Sequence, residues 1–65
     1  MNLAALTVCQ RAVFDQLVQG KSNRDISAVV RKTEKTVKAH VTAIFKHFGC
    51  ASRAELIARH YRGET

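Results

Sequence analysis

Apolar residues recur along this chain at intervals of three and four, in four stretches separated by short polar breaks. That spacing marks helices with one buried face, and no stretch shows the strict alternation of a half-buried strand. The first stretch predicts a helix from Leu6 to Gly20, with Leu6, Val13, Phe14, Leu17 and Val18 on one stripe, Cys9 at its margin, and Asp15 and Gln16 outside. Thr7 and Gln10 have the spacing of a capping box, and Gly20 suits the left-handed position past a helix end. Ser22, three residues before Asp25, starts a second helix from Asn23 to about Val30. Its buried positions are Ile26, Val29 and Val30, with Ala28 outward and the small Ser27 where a neighbouring helix crosses.

The third stretch organises the rest. Thr33 caps a helix that runs to Phe48, Glu34 suits the positive end of its dipole, and Gly49 ends it. Wound at about 100° per residue, Val37, Val41, Ile44, Phe45 and Phe48 make an apolar stripe, while Lys35, Lys38, Ala39, Thr42 and Lys46 fall on the other side. That second face has two readings: a solvated surface, or a surface whose edge cations and short central side chains lie close against a flat polyanion. The tight link between Val30 and Thr33 favours the polyanion, because a short helix, a short turn and a longer helix with a basic face have the layout of a helix-turn-helix.

Ser52 and Glu55 form a further capping box and open a last helix from Arg53 to about Arg62. Ala54, Ile57, Ala58 and Tyr61 make its inward stripe. Leu56 and His60 project from a different side, where they either meet nothing or meet the same helix of a second copy. The expected fold is all-α, a compact four-helix domain containing a helix-turn-helix. One domain spans 1–65, with 1–5 as a lead-in and 63–65 as a tail.

Size narrows the function. With 65 residues, most apolar side chains are needed for packing, which leaves no room for a buried catalytic cleft. His40, His47 and His60 have no carboxylate or nucleophile at fixed spacing, so no enzyme and no cofactor are expected. No apolar run nears the roughly 20 residues that cross a bilayer, and the first five residues lack the regions of a signal peptide, so the expected location is cytoplasmic. Cys9 and Cys50 are then expected as reduced thiols. His47 and Cys50 are three apart, but no second closely spaced pair completes a structural zinc site.

Net charge is +6, and between Lys21 and Lys46 seven cations stand against Asp25 and Glu34. The positive charge is thus concentrated on the two central helices. A membrane surface would require large apolar residues on the same face, and Lys35, Lys38, Ala39 and Thr42 supply none. The N–H groups that open the second helix, beside Lys21 and Arg24, suit a phosphate; Ser22 and Asn23 also have the plainer reading of caps alone.

Gly20-Lys21-Ser22-Asn23-Arg24-Asp25-Ile26-Ser27, Thr33-Glu34-Lys35-Thr36-Val37-Lys38-Ala39-His40-Val41, Phe48-Gly49-Cys50 and Ser52-Arg53-Ala54-Glu55 resemble the C-terminal DNA-binding domain of LuxR/FixJ/NarL-type bacterial transcription regulators. The resemblance covers Leu6 to about Ala58. It implies a four-helix domain that binds inverted DNA half-sites as a dimer, with base contacts from Lys38, Ala39 and Thr42. It also implies backbone contacts from Ser22, Asn23, Lys35, Thr36, His40 and Lys46, and a dimerising fourth helix, in which Arg53, Leu56 and His60 are the candidate contacts. Their charge adds Lys21 and Arg31 to the backbone set.

Two departures stand out. Cys9-Gln10-Arg11-Ala12 replaces the family's Arg-Glu-x-Glu, and Arg31-Lys32 replaces a glycine followed by an apolar residue. Lys32 either removes a core contact or packs its stem while the amine reaches out. Family members usually carry a sensing or receiver domain ahead of this one, so the chain is either an excised effector domain or a single-domain regulator. The expected partners are double-stranded DNA and a second copy, with RNA polymerase as a further candidate, and no membrane or small-molecule ligand. The alternative is a protein-interaction module that pairs with a larger regulator through its last helix and blocks it.

Overall fold

In a computed structural model that describes residues 6–64, the chain folds as four helices, α1 (Val8–Leu17), α2 (Asn23–Val30), α3 (Glu34–Phe48) and α4 (Arg53–Tyr61), with no strand among the described residues. The 1–5 lead-in and Thr65 of the tail lie outside them. Each helix starts at the expected cap. The hydroxyls of Thr7, Ser22, Thr33 and Ser52 accept from the N–H three residues on, at 3.1, 3.2, 3.1 and 3.2 Å. At α1 the box is reciprocal, because Thr7 N–H donates to Gln10 Oε1. At α4 the Glu55 carboxylate reaches one residue further and accepts from Ala51 N–H.

The helix ends share one device. The N–H groups of Lys21, Lys32, Cys50 and Glu64 each donate to a carbonyl five residues back, and the residue before each is left-handed: Gly20, Arg31, Gly49 and Gly63. This closure satisfies carbonyls that the helix itself leaves orphaned. All three glycines of the chain are used in it. The fourth position, where the family pattern has glycine, is Arg31 at φ 56°, a conformation that costs a residue with a Cβ about 1 kcal/mol.

Val13, Phe14, Leu17, Val18, Ile26, Val37, Val41, Ile44, Phe48 and Leu56 form one core, with Leu6, Val30, Phe45 and Cys50 packed against it. The stripes expected for α1 and α3 are therefore observed. Phe14 and Phe48 join these two helices at the centre, their rings 5.5 Å apart. In α2 the buried side is turned from the expected one. Val29 is exposed, while Ile26 and Val30 pack and Asn23 and Ser27 flank them half-buried.

The phase of α4 is also corrected. Leu56, expected outward as a dimer contact, is fully buried, whereas Ala54, Ala58 and Tyr61 of the expected inward stripe are exposed. Arg53, Ile57, Arg59 and His60 lie half-buried beside Leu56. The reason is that carbonyls of other segments face α4, and arginine donors meet them. Arg53 donates to Lys21 O at 3.2 Å and Arg59 to Phe48 O at 2.7 Å. His60 stands edge-on to Phe14, ring centres 5.4 Å apart, and Tyr61 Oη reaches Val18 O at 3.4 Å. The backbones of α1, α2 and α3 approach one another closely; α4 is joined to them mainly through these side chains.

Candidate nucleic-acid interface

The outer face of α3 forms from its own periodicity. With Val37, Val41, Ile44 and Phe48 held in the core, Lys35, Lys38, Ala39, Thr42 and Lys46 are all exposed. The 15-residue helix is about 22 Å long and, with side chains, about 10–12 Å across, a width the roughly 12 Å major groove of B-DNA admits. The lysines flank a low centre. Thr42 Oγ1 donates to Lys38 O at 3.0 Å, so its hydroxyl proton is committed to the helix and the methyl group remains as an apolar contact.

The face begins at the α3 cap. Thr33 Oγ1 accepts from Thr36 N–H and donates to Thr36 Oγ1 at 3.0 Å, leaving the Thr36 hydroxyl proton for an outside acceptor. Glu34 is the acid of the first turn, where the helix dipole favours it. Before the cap stand Arg31 and Lys32, both exposed, so Lys32 fills no core position. The left-handed backbone at Arg31 makes the turn short.

At the start of α2, Ser22 Oγ takes the N–H of Asp25 and Ser22 O that of Ile26, while helix geometry leaves Asn23 and Arg24 N–H without an intrahelical acceptor. Lys21 and Asn23 are half-buried here, and Ser22 and Arg24 exposed. Asn23 Oδ1 accepts from Arg53 Nη2. Arg53, expected on a dimer surface, is therefore half-buried and bound to the α2 start.

His40, expected against the DNA backbone, is half-buried between α1 and α3 with Nε2 3.4 Å from Cys9 Sγ. Only Nδ1 remains for an outside partner. Sequence reasoning missed this contact and missed Arg59, whose Nη1 also lies 3.2 Å from Cys50 Sγ. The available signal for Arg59 was its place three residues after Leu56, on the side a helix shares at that interval. Both cysteines are free thiols. Among the described residues no cavity opens, no three His, Cys, Asp or Glu side chains gather to hold a metal ion, and no helix is long and apolar enough to cross a membrane.

Several known proteins are similar in sequence. A glycerol metabolism activator of Pseudomonas putida is 38% identical over 55 residues, covering 85% of this chain and 25% of that protein. The probable HTH-type transcriptional regulator GfsR of Streptomyces halstedii is 34% identical over 64 residues, covering 94% and 26%. The spore germination protein GerE of Bacillus subtilis (strain 168) is 33% identical over 52 residues, covering 80% and 70%. The chain thus spans about a quarter of the length of the first two relatives. No solved structure matches it. The family of bacterial regulatory proteins named for luxR, a family of DNA-binding domains and not of enzymes, matches residues 4–60, and the chain belongs to it.

Proposed function

We propose that this domain binds double-stranded DNA sequence-specifically by laying α3 in the major groove, and that it does so as a dimer on inverted half-sites. The observation that carries the reading is the uncovered face of α3, with Lys35, Lys38 and Lys46 around Ala39 and Thr42. Lys38 is placed to donate to guanine O6 and N7, while Ala39 and the Thr42 methyl suit a thymine methyl. Lys21, Ser22, Asn23, Arg31, Lys35, Thr36 and Lys46, with His40 through Nδ1, contact phosphates and set the register. Because Leu56 is buried, α4 pairs with its copy through the exposed side of Ala54, Ala58 and Tyr61. The regulator works in the cytoplasm, with RNA polymerase as a second partner.

Selection of bound duplexes from a random pool at stated salt tests this reading. It predicts an enriched inverted repeat and an affinity that falls steeply with salt as counterions are released. A chain that shifts no duplex at any salt acts instead by pairing with a larger regulator, and the DNA reading then fails.

A further inference from the structure

We propose that Arg53 of α4 is a positioning residue for DNA binding, which fixes the Asn23 side-chain amide so that its N–H groups face the phosphate backbone. The proposal rests on the DNA reading above. Arg53 donates through Nη1 to Lys21 O at 3.2 Å and through Nη2 to Asn23 Oδ1, so one guanidinium grips the residue before the α2 cap and the first residue of the helix. A guanidinium has donors and no acceptor, and a side-chain amide has one end of each kind. Arg53 therefore selects one of the two amide orientations: Oδ1 is drawn inward and Nδ2, with two donors, is turned away. Asn23 is thereby a donor beside the exposed Ser22 and Arg24 and the open N–H groups of the first turn. A free asparagine would present its acceptor as readily, and an acceptor repels a phosphate oxygen.

A double-mutant cycle read by binding tests this, using a short labelled duplex of arbitrary sequence, because phosphate contacts act on any sequence. Asn23→Ala and Arg53→Ala are each expected to weaken binding by about fivefold, the worth of one hydrogen bond. The double variant is expected to stay near fivefold, against about 25-fold for independent losses. Arg53→Lys, also a pure donor, is expected to recover part of the loss; Arg53→Gln, which offers an acceptor too, is not. Urea melting shows that each variant is folded at the assay temperature, and if Arg53→Ala is not, Arg53→Gln takes its place in the cycle. Sedimentation of the same samples reports self-association. Losses that multiply, an Arg53→Ala or Arg53→Gln variant that binds as the parent does, or a loss accounted for by weaker dimerisation overturns the proposal. A parent chain without salt-dependent binding overturns the DNA reading itself, and is distinguishable because it needs no variant.

Discussion

Arg59 Nη1 donates to Phe48 O at 2.7 Å, joining α4 to the carbonyl end of α3. A cation at that end meets both an orphaned carbonyl and the negative end of the helix dipole, so the bond supports the helix that carries the exposed lysines. Arg59→Ala is expected to destabilise the fold by about 1.5–3 kcal/mol, as for a hydrogen bond from a charged donor. Urea unfolding measures it; a midpoint within error of the parent's would show the contact to be idle.

Leu56 and Tyr61 separate packing from pairing within α4. Leu56 is fully buried and Tyr61 is 71% exposed. Leu56→Ala is expected to cost about 2–5 kcal/mol, enough to unfold much of so small a domain. Tyr61→Ala, which removes the bond to Val18 O, is expected to cost about 0.5–1.5 kcal/mol, less than Leu56→Ala, and to weaken self-association in sedimentation. The reverse pattern would restore Leu56 as a surface contact.

Arg31→Gly divides stability from affinity. Glycine adopts φ 56° without the Cβ penalty, so the variant is expected to gain about 1 kcal/mol in unfolding free energy. It also loses one cation beside the duplex, and the slope of log affinity against log salt is expected to flatten by about 0.9. Calorimetry and a salt titration read the two effects separately. An unchanged slope would remove Arg31 from the phosphate contacts.

Lys38 and Lys46 differ in kind. Lys38→Ala is expected to lose about 1–3 kcal/mol on the selected site and to relax preference at one base position. Lys46→Ala is expected to weaken selected and random duplexes alike. Equal losses on both duplexes for Lys38→Ala would move it from base reading to the backbone.

Helix starts, the glycine ends after α1 and α3, and the stripes of α1 and α3 were legible because each rests on short-range chemistry: a hydroxyl three residues before an N–H, a glycine after the last turn, large apolar side chains in phase. The orientation of α4 was not, since Arg53 and Arg59 find their partners in the carbonyls of Lys21 and Phe48, which only the fold brings to them. Val29 misled for a related reason. Its hydropathy matches that of Val30, and only the packing of α2 against the other helices decides which of the two is covered. The basic face of α3 was readable as a pattern, whereas the engagement of His40 with Cys9, 31 residues away in the chain, carried no local signal.

The three-residue link from Arg31 to Thr33 holds one left-handed joint, Lys32 whose N–H closes α2, and one cap. The pair therefore reaches its target preorganised, and docking freezes little backbone freedom beyond that of the side chains. On the proposed reading, encounter is governed by the long-range pull of the lysines on the duplex, and discrimination among sequences by how quickly an ill-fitting complex comes apart.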